Sequence, residues 1–515
     1  MNKFIFVSGG VCSSLGKGVA ASSIGALLES RGLNVRVVKC DPYINVDAGT
    51  MSPYQHGEVY VTDDGAQTDL DLGNYARFTK GRFSKANSIT TGQVYESVIR
   101  KEREGKYDGK CVQVIPHITD EIKSRILAVS EEENDTDVVI IEIGGTVGDI
   151  ESIPFLEVAR QMIHEQGKTN VITVHLTLIP EVTDGELKTK PTQHSVKTML
   201  ETGIQPDILI CRAPIMLDES TRRKIAQFTN VDIDAVFTSP NIDKTIYQIP
   251  IIFFEQKLDQ VILRKMGVES RHAKMKPWQS LIDKFSARKG TARIGIVGLY
   301  MEYNDIYTSL YEALLHASLE CGVEVELVKI DSSVLENTNN IDTVLGNVDG
   351  ILIPGGFGQH EINGMVNAAA WARTNKKPYL GINLGKHVMM VEWARNVLNQ
   401  NDTEKYEEIA QLGASEIKIE ENTHIFKAYG EKQIMERYRH RYEFTNQNKN
   451  DMIKSGLKAA AFNSDGTSVE CIEWPQDDPN LPWGVAVQFH PEYKSKPMAA
   501  SPLFKEFISR CRNKG

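Results

Sequence analysis

No two cysteines in this 515-residue sequence are spaced as CxxC. The seven present (Cys12, Cys40, Cys111, Cys211, Cys321, Cys471 and Cys511) are scattered, so neither a disulfide framework nor a structural zinc site is encoded. That usage fits a reducing compartment. Long apolar runs are missing too: none approaches the ~20 residues that span a bilayer. Met1-Asn2-Lys3 before Phe4-Ile5-Phe6-Val7 imitates the start of a signal peptide, but the run stops at Ser8-Gly9-Gly10 and reads as a buried strand. Positive charge is in deficit, with 58 Lys+Arg against 68 Asp+Glu and a net charge of −10, which argues against a general nucleic-acid binder. Repeats and low-complexity tracts are absent as well. What is there is 41% apolar and 24% charged, enough to exclude wholesale disorder. The expectation is a cytoplasmic, soluble protein of two to four domains, with no membrane and no nucleic acid among its partners.

The first half alternates short apolar segments with helical patterns. Strands are expected at Lys3–Val7, Val35–Lys39, Val112–Ile115, Val138–Ile143, Ile172–Leu176, Ile208–Cys211 and Ala235–Phe237. Helices are expected near Lys17–Glu29, Asp120–Val129, Phe155–Gln166, Gln193–Thr202 and Glu219–Phe228. Strands without strict alternation, separated by helices, predict an α/β fold with a parallel sheet covered on both faces. Sites in such sheets gather beyond the carboxyl ends of the strands. Composition turns polar and basic after Arg264, and a second α/β rhythm starts at Ala292–Val297 and continues through Val323–Val328 and Gly350–Ile353. The division is therefore 1–265, a linker over 266–290 holding one helix from Pro277, and 291–515. The run Glu131-Glu132-Glu133-Asn134-Asp135 reads as a solvated loop.

Chemistry is signalled first by Ser8-Gly9-Gly10-Val11-Cys12-Ser13-Ser14-Leu15-Gly16-Lys17-Gly18. A strand, a small-residue turn and a lysine at a helix start suit a phosphate: backbone N–H groups converge and the lysine reaches the terminal phosphates. The string departs from the common P-loop, with Val11 where Gly is usual and Gly18 where Ser or Thr is usual. Asp69 and Asp71 alternate in Thr68–Gly73, and Glu142 ends the apolar run Val138–Ile141. Carboxylates suit Mg²⁺, and an unpartnered one after so apolar a run would be costly. Lys188 and Lys190 alternate before Pro191, either as a polyanion site or as a solvated loop. The residues alone reach an NTP-dependent enzyme and do not name its second substrate.

These strings resemble the CTP synthase family. Lys39–Asp47, Gly49–Pro53, Gln55–Val59, Thr68–Gly73, Gln113–Thr119, Gly144–Ser152, Lys188–His194 and Glu436–Glu443 match it as well. The resemblance implies an N-terminal P-loop-type synthase (amidoligase) domain and a C-terminal class I glutamine amidotransferase-like domain. ATP would phosphorylate the O4 of UTP, and ammonia would displace the phosphate to give CTP. It further implies that Ser13, Ser14, Leu15, Gly16, Lys17, Gly18 and Asp71 bind the ATP phosphates, and that Lys17, Lys39 and His56 are catalytic. Asp71 and Glu142 would hold Mg²⁺. Ser13, Asp149, Ile150, Glu151, Lys188, Lys190, Gln193 and Lys224 would bind UTP, or CTP as feedback inhibitor. A homotetramer, in some members filament-forming, is implied too.

The second half departs from the family at its centre. Ile351–Gly358, with Gly356, resembles the glycine loop that forms the oxyanion hole, and His490 and Glu492 match the base and its orienting carboxylate. The family's elbow reads Gly-x-Cys-Leu-Gly-Met-Gln, whereas this chain has Gly381-Ile382-Asn383-Leu384-Gly385-Lys386-His387. An amide cannot serve as a nucleophile where a thiolate does. Neither Ser, Thr nor Cys occurs from Gly381 to Val391. Gln359-His360 stands where the family commonly carries an arginine followed by glycine, and the stretch Asn401–Lys427 lacks the family's glutamine-binding string. The expectation is an ATP-dependent UTP amination fed by free ammonia, with a degenerate glutaminase half. Amination with another amine, and a nucleotide-binding regulatory paralogue that co-assembles with an active CTP synthase, stay open, as does a separate ammonia-supplying glutaminase.

Overall fold

The computed structural model describes residues 2–131, 135–182, 185–242, 244–269, 271–337, 340–356, 362–400, 406–444 and 452–512. Glu132–Asn134 of the acidic run, Phe357–His360 of the glycine loop and 401–405 lie outside the described residues. The chain forms two compact units, one of 1–50 with 71–282 and one of 51–70 with 283–515.

The strands up to residue 240 are β1 (Lys3–Gly9), β2 (Val35–Asp41), β3 (Tyr60–Val61), β4 (Gln67–Thr68), β5 (Ser88–Thr90), β6 (Val138–Ile143), β7 (Val171–Leu178), β8 (Ile208–Ala213) and β9 (Val236–Pro240). All but β3 and β4 form one parallel sheet in the order β5-β2-β6-β1-β7-β8-β9. Every residue of β2 and β6 is buried, as continuous apolar runs between two helical layers require. Helices fall at Lys17–Ser30, Thr119–Glu131, Ile153–Gln166, Lys190–Glu201 and Glu219–Thr229, close to their predicted places. Phe155, Leu156, Ala159, Ile122 and Ile126 fill the core on one face.

One predicted strand is wrong. Val112–Ile115 does not join the sheet: Val114–Ile118 is a π-helical turn that leads into the helix from Thr119. Pro116 has no N–H to give a ladder, and Val114 and Ile115 face outward. The seventh strand is instead β5, whose one apolar residue, Ile89, gave the sequence no strand pattern.

The second unit adds β10 (Thr291–Gly298), β11 (Glu324–Asp331), β12 (Gly350–Ile353), β13 (Tyr379–Ile382), β14 (Tyr406–Ile419), β15 (Gln433–Phe444), β16 (Lys458–Asn463), β17 (Val469–Glu473) and β18 (Gly484–Val487). They form a mixed sheet ordered β11-β10-β12-β13-β18-β17-β16-β14-β15, parallel as far as β18 and antiparallel beyond it. Segment 51–70 belongs here, and two buried polar anchors explain why. The Glu58 carboxylate accepts from the Ser309 backbone N–H at 3.0 and 3.1 Å and from its hydroxyl at 2.6 Å. Arg437 donates to Asp63 at 2.6 Å, to the Tyr60 hydroxyl at 2.6 Å and to the Val61 carbonyl at 3.0 Å. Such charge-assisted bonds are stronger than neutral ones and fix register. Among the described residues all seven cysteines are free, and no helix is long and apolar enough to cross a membrane.

Candidate functional site

In the first unit the chemistry converges at the carboxyl ends of the neighbouring strands β2, β6 and β1. Register dictates it: Glu142 pairs with Lys39 on one side and with Val7 on the other. The turn after β1 passes through left-handed backbone at Val11, Ser14 and Gly16, with φ of 82°, 56° and 96°. A β-branched residue at such a φ is strained, a cost that persists mainly at functional turns. Ser13 and Ser14 are exposed, Leu15 is buried, and Lys17 opens the helix.

Lys17 donates to the Gly145 carbonyl, and burial, with the Lys39 charge adding to it, lowers its pKa. The Lys39 ammonium bonds Asp71 and Glu142, the latter at 2.8 Å, with Asp41 at 3.9 Å. Burial opposes that charge, yet the Asp71 and Glu142 carboxylates outweigh it and hold the Lys39 pKa well above its usual value. Tyr75 donates to the other oxygen of Glu142. A Cβ on Gly18 would lie 2.2 Å from Asp71 Oδ1. Asp71 thus occupies the space of the hydroxyl that a common P-loop carries there.

The residues expected for UTP lie around the helix Lys190–Glu201. The turn 144–151 reaches it, since a Cβ on Gly148 would lie 3.2 Å from Thr198 Cγ2. Asp149 accepts from the Thr146 N–H at 3.0 Å, while Ile150 and Glu151 are exposed. Gln193 donates to Thr189 Oγ1 at 3.1 Å, Lys188 pairs with Glu186 at 2.5 Å, and Lys190 and Lys224 face solvent. The sequence reading missed a cleft of about 320 Å³ that begins at Ser14 and Leu15 and continues along Leu178, Pro180, Arg212 and Asn241. Its only signal was positional: Arg212 lies near the end of β8 and Asn241 just beyond β9. His56 and Asp69 lie in the second unit, 3.3 Å apart, so the two carboxylates of Asp-x-Asp serve different partners.

The second unit keeps the shape of an elbow site. Asn383 stands between β13 and the helix Leu384–Asn396 with φ 53° and ψ −99°, a conformation rare outside glycine. Gly381 and Gly385 make that turn feasible, because a Cβ on either would fall within 2.6 Å of backbone. A Cβ on Gly355 would sit 2.5 Å from His490 Cε1 and 3.5 Å from Asn383 Cβ, and one on Gly356 would sit 2.8 Å from Leu384. Glycine loop, elbow and histidine therefore meet. His490 Nδ1–H donates to Glu492 at 2.7 Å, and the Asn383 amide donates to the Gln488 carbonyl at 3.4 Å. Lys386 is buried, bonding the Val469 carbonyl and, at 3.1 Å, Gln488 Oε1.

Nearby Glu436 accepts from the Tyr429 hydroxyl at 2.7 Å, and burial raises its pKa from 4.5 to about 7. A folded pKa above the unfolded one means stability that is complete below 4.5 and is lost as pH rises through about 7. Glu436→Gln is expected to flatten that loss, gaining up to about 3 kcal/mol over the native chain at about pH 8. Thermal unfolding at about pH 5 and pH 8 measures it. Identical slopes in the two proteins would show that this carboxyl ionises in the fold at no cost.

Comparison with known proteins also divides the chain in two, with the first match running through 51–70. Residues 3–268 match the family "CTP synthase N-terminus", and residues 302–510 match "Glutamine amidotransferase class-I". The chain is 47% identical over 531 residues to the CTP synthase of Koribacter versatilis, covering 98% of this chain and 94% of that protein. It is 48% identical over 532 residues to the CTP synthase of Carboxydothermus hydrogenoformans, covering 99% and 98%. The solved glutaminase domain of Trypanosoma brucei CTPS with bound acivicin is 31% identical, covering 43% of this chain and 93% of that one with a TM-score of 0.39.

Proposed function

The chain belongs to the CTP synthase family, and from that premise we propose that its first unit aminates UTP to CTP with ATP and free ammonia, without a working glutaminase. One observation carries the reading. Lys17, Lys39, Asp71 and Glu142 stand together at the strand ends, while the elbow presents the amide of Asn383.

The loop Ser13–Gly18 and Lys17 bind the triphosphate of ATP, and the cleft past Leu15 to Arg212 and Asn241 takes the attached nucleoside. Lys17 offsets charge spreading over the transferred phosphoryl oxygens, which together with alignment supplies most of such catalysis. Asp71 and Glu142 would hold Mg²⁺, which supplies further neutralisation of that charge. The donor set fits. Among the described residues no group of three or more acidic, His or Cys ligands occurs, and two carboxylates suit a cation that completes its shell with phosphates and water. Lys39 satisfies these carboxylates in the ligand-free protein.

Asp149, Ile150, Glu151, Lys188, Lys190, Gln193 and Lys224 bind UTP. Its O4 attacks the γ-phosphorus and ADP leaves; ammonia then adds at C4, and the C–O bond to phosphate breaks. His56, held by Asp69, belongs to the path of ammonia. A homotetramer accounts for the outward apolar side chains Ile44 and Ile150, 78% and 82% exposed in the single chain.

Purified full-length protein with UTP, ATP and Mg²⁺ is expected to form CTP with ammonium, faster as pH rises because neutral ammonia attacks. Glutamine should support less than about 1% of that rate, with no glutamate released. Glutamine-driven CTP formation would refute the lost glutaminase. Failure with ammonium would refute the amination.

A further inference from the structure

Three polar residues alternate on one face of β7 in the first unit: Thr173, His175 and Thr177, all fully buried. The helix Lys190–Glu201 packs there, and apolar residues would fill a helix–sheet interface at lower cost. Hydrogen bonds offer what apolar packing does not: a single register.

The bonds have a direction. Ser8 Oγ lies 2.9 Å from His175 Nδ1, and His175 Nε2 lies 2.7 Å from Ser195 Oγ. The Ser8 hydroxyl has a second neighbour to donate to, Met199 Sδ at 3.7 Å. With its proton there, Ser8 accepts from Nδ1–H, and Nε2 accepts from the Ser195 hydroxyl. Burial, with the Lys17 charge adding to it, pushes the His175 pKa down to about 3, so the ring is neutral at neutral pH. Thr192 joins the same face, its hydroxyl 3.0 Å from Thr177 Oγ1 and 3.1 Å from the Leu178 carbonyl.

The two ends of this relay matter. Ser8 immediately precedes Gly9 and Gly10, the root of the phosphate loop. Ser195 lies two residues beyond Gln193 on the helix that Lys190 opens. The loop touches the helix at that point as well, since a Cβ on Gly10 would fall 1.8 Å from Ser195 Oγ and 3.3 Å from His175 Nε2. We propose that His175 is a positioning residue, which through Ser8 and Ser195 holds the phosphate loop at one fixed distance from the helix carrying Lys190 and Gln193. In the amination reading, on which this inference rests, it sets the γ-phosphate of ATP against the O4 of UTP. In-line transfer is sensitive to misplacements of about 1 Å, so the relay acts on turnover more than on binding.

The test is a double-mutant cycle in the full chain, with ammonium-driven CTP formation as readout. Ser195→Ala and His175→Phe are each expected to lower kcat about tenfold while KM for ATP and UTP moves less than about threefold. The double variant should be no slower than His175→Phe alone, because both changes cut one link. Multiplying effects, or a raised KM at unchanged kcat, would overturn the proposal. Ser195→Ala removes one hydroxyl and keeps the test open if His175→Phe does not fold. Hydrogen exchange on Ser195→Ala gives a readout free of activity: amides of Gly9–Gly16 and of Lys190–Gln193 should open together. Faster exchange in the helix alone would also overturn it. If the native protein makes no CTP, the amination reading falls, and hydrogen exchange still decides the relay.

Discussion

Replacing Lys17 with alanine is expected to lower ammonium-driven CTP formation by at least ~10³-fold, with the protein still folded. The structure separates this lysine from its neighbour in role. Lys39 is enclosed by two carboxylates at ion-pair distance, whereas the hydrogen bond that Lys17 donates goes to a backbone carbonyl, which a ligand phosphate can displace. It stands at the helix start where the loop N–H groups converge, so little else can replace it at the terminal phosphates. CTP released per site, compared with the native chain at saturating nucleotide and ammonium, measures the loss. A rate within tenfold of native would remove Lys17 from phosphoryl transfer.

Lys39→Met is expected to cost about 3–5 kcal/mol of stability as well as activity, because it strands Glu142. That carboxylate is fully buried, and among the described residues the Tyr75 hydroxyl is the hydrogen-bond donor it keeps once the ammonium is gone, with the Lys17 charge nearby. Urea unfolding of the native and variant proteins gives the difference. Added Mg²⁺ should return part of it, since Asp71 and Glu142, no longer bridged by the Lys39 ammonium, then share a cation that the unfolded chain does not bind. A variant as stable as the native protein would show that the Lys39 ammonium adds no net stability at Glu142. A variant indifferent to Mg²⁺ would remove the two carboxylates from the metal assignment.

Much of this site was legible because its signals are local. The loop Ser8–Gly18 joins one strand to one helix, and the run Val138–Ile141 announced a buried strand with Glu142 at its end. The elbow was equally plain, since Gly381 and Gly385 flank it within a few residues. Features built from distant segments were not legible. Nothing near Val112–Ile115 shows that Val114 and Ile115 face outward, and β5 joins the sheet through a backbone ladder with β2 that its own composition does not advertise. The cleft lined by Arg212 and Asn241 needs the ends of β8 and β9 brought side by side. His175 read as one more strand residue, because its partners lie 167 and 20 positions away.

The course of the chain between the units bears on how it can be divided. It leaves the first unit after Thr50, re-enters it at Asp71 and leaves again after Ile282. No single scission therefore yields two whole modules. A fragment ending near residue 282 would carry Glu58 without Ser309 and Tyr60 without Arg437, and the strip it strands ends beside Asp71, the carboxylate that meets Lys39. A unit whose elbow carries Asn383 is thus still obliged to fold, as a mould for a loop that the first half of the sequence encodes.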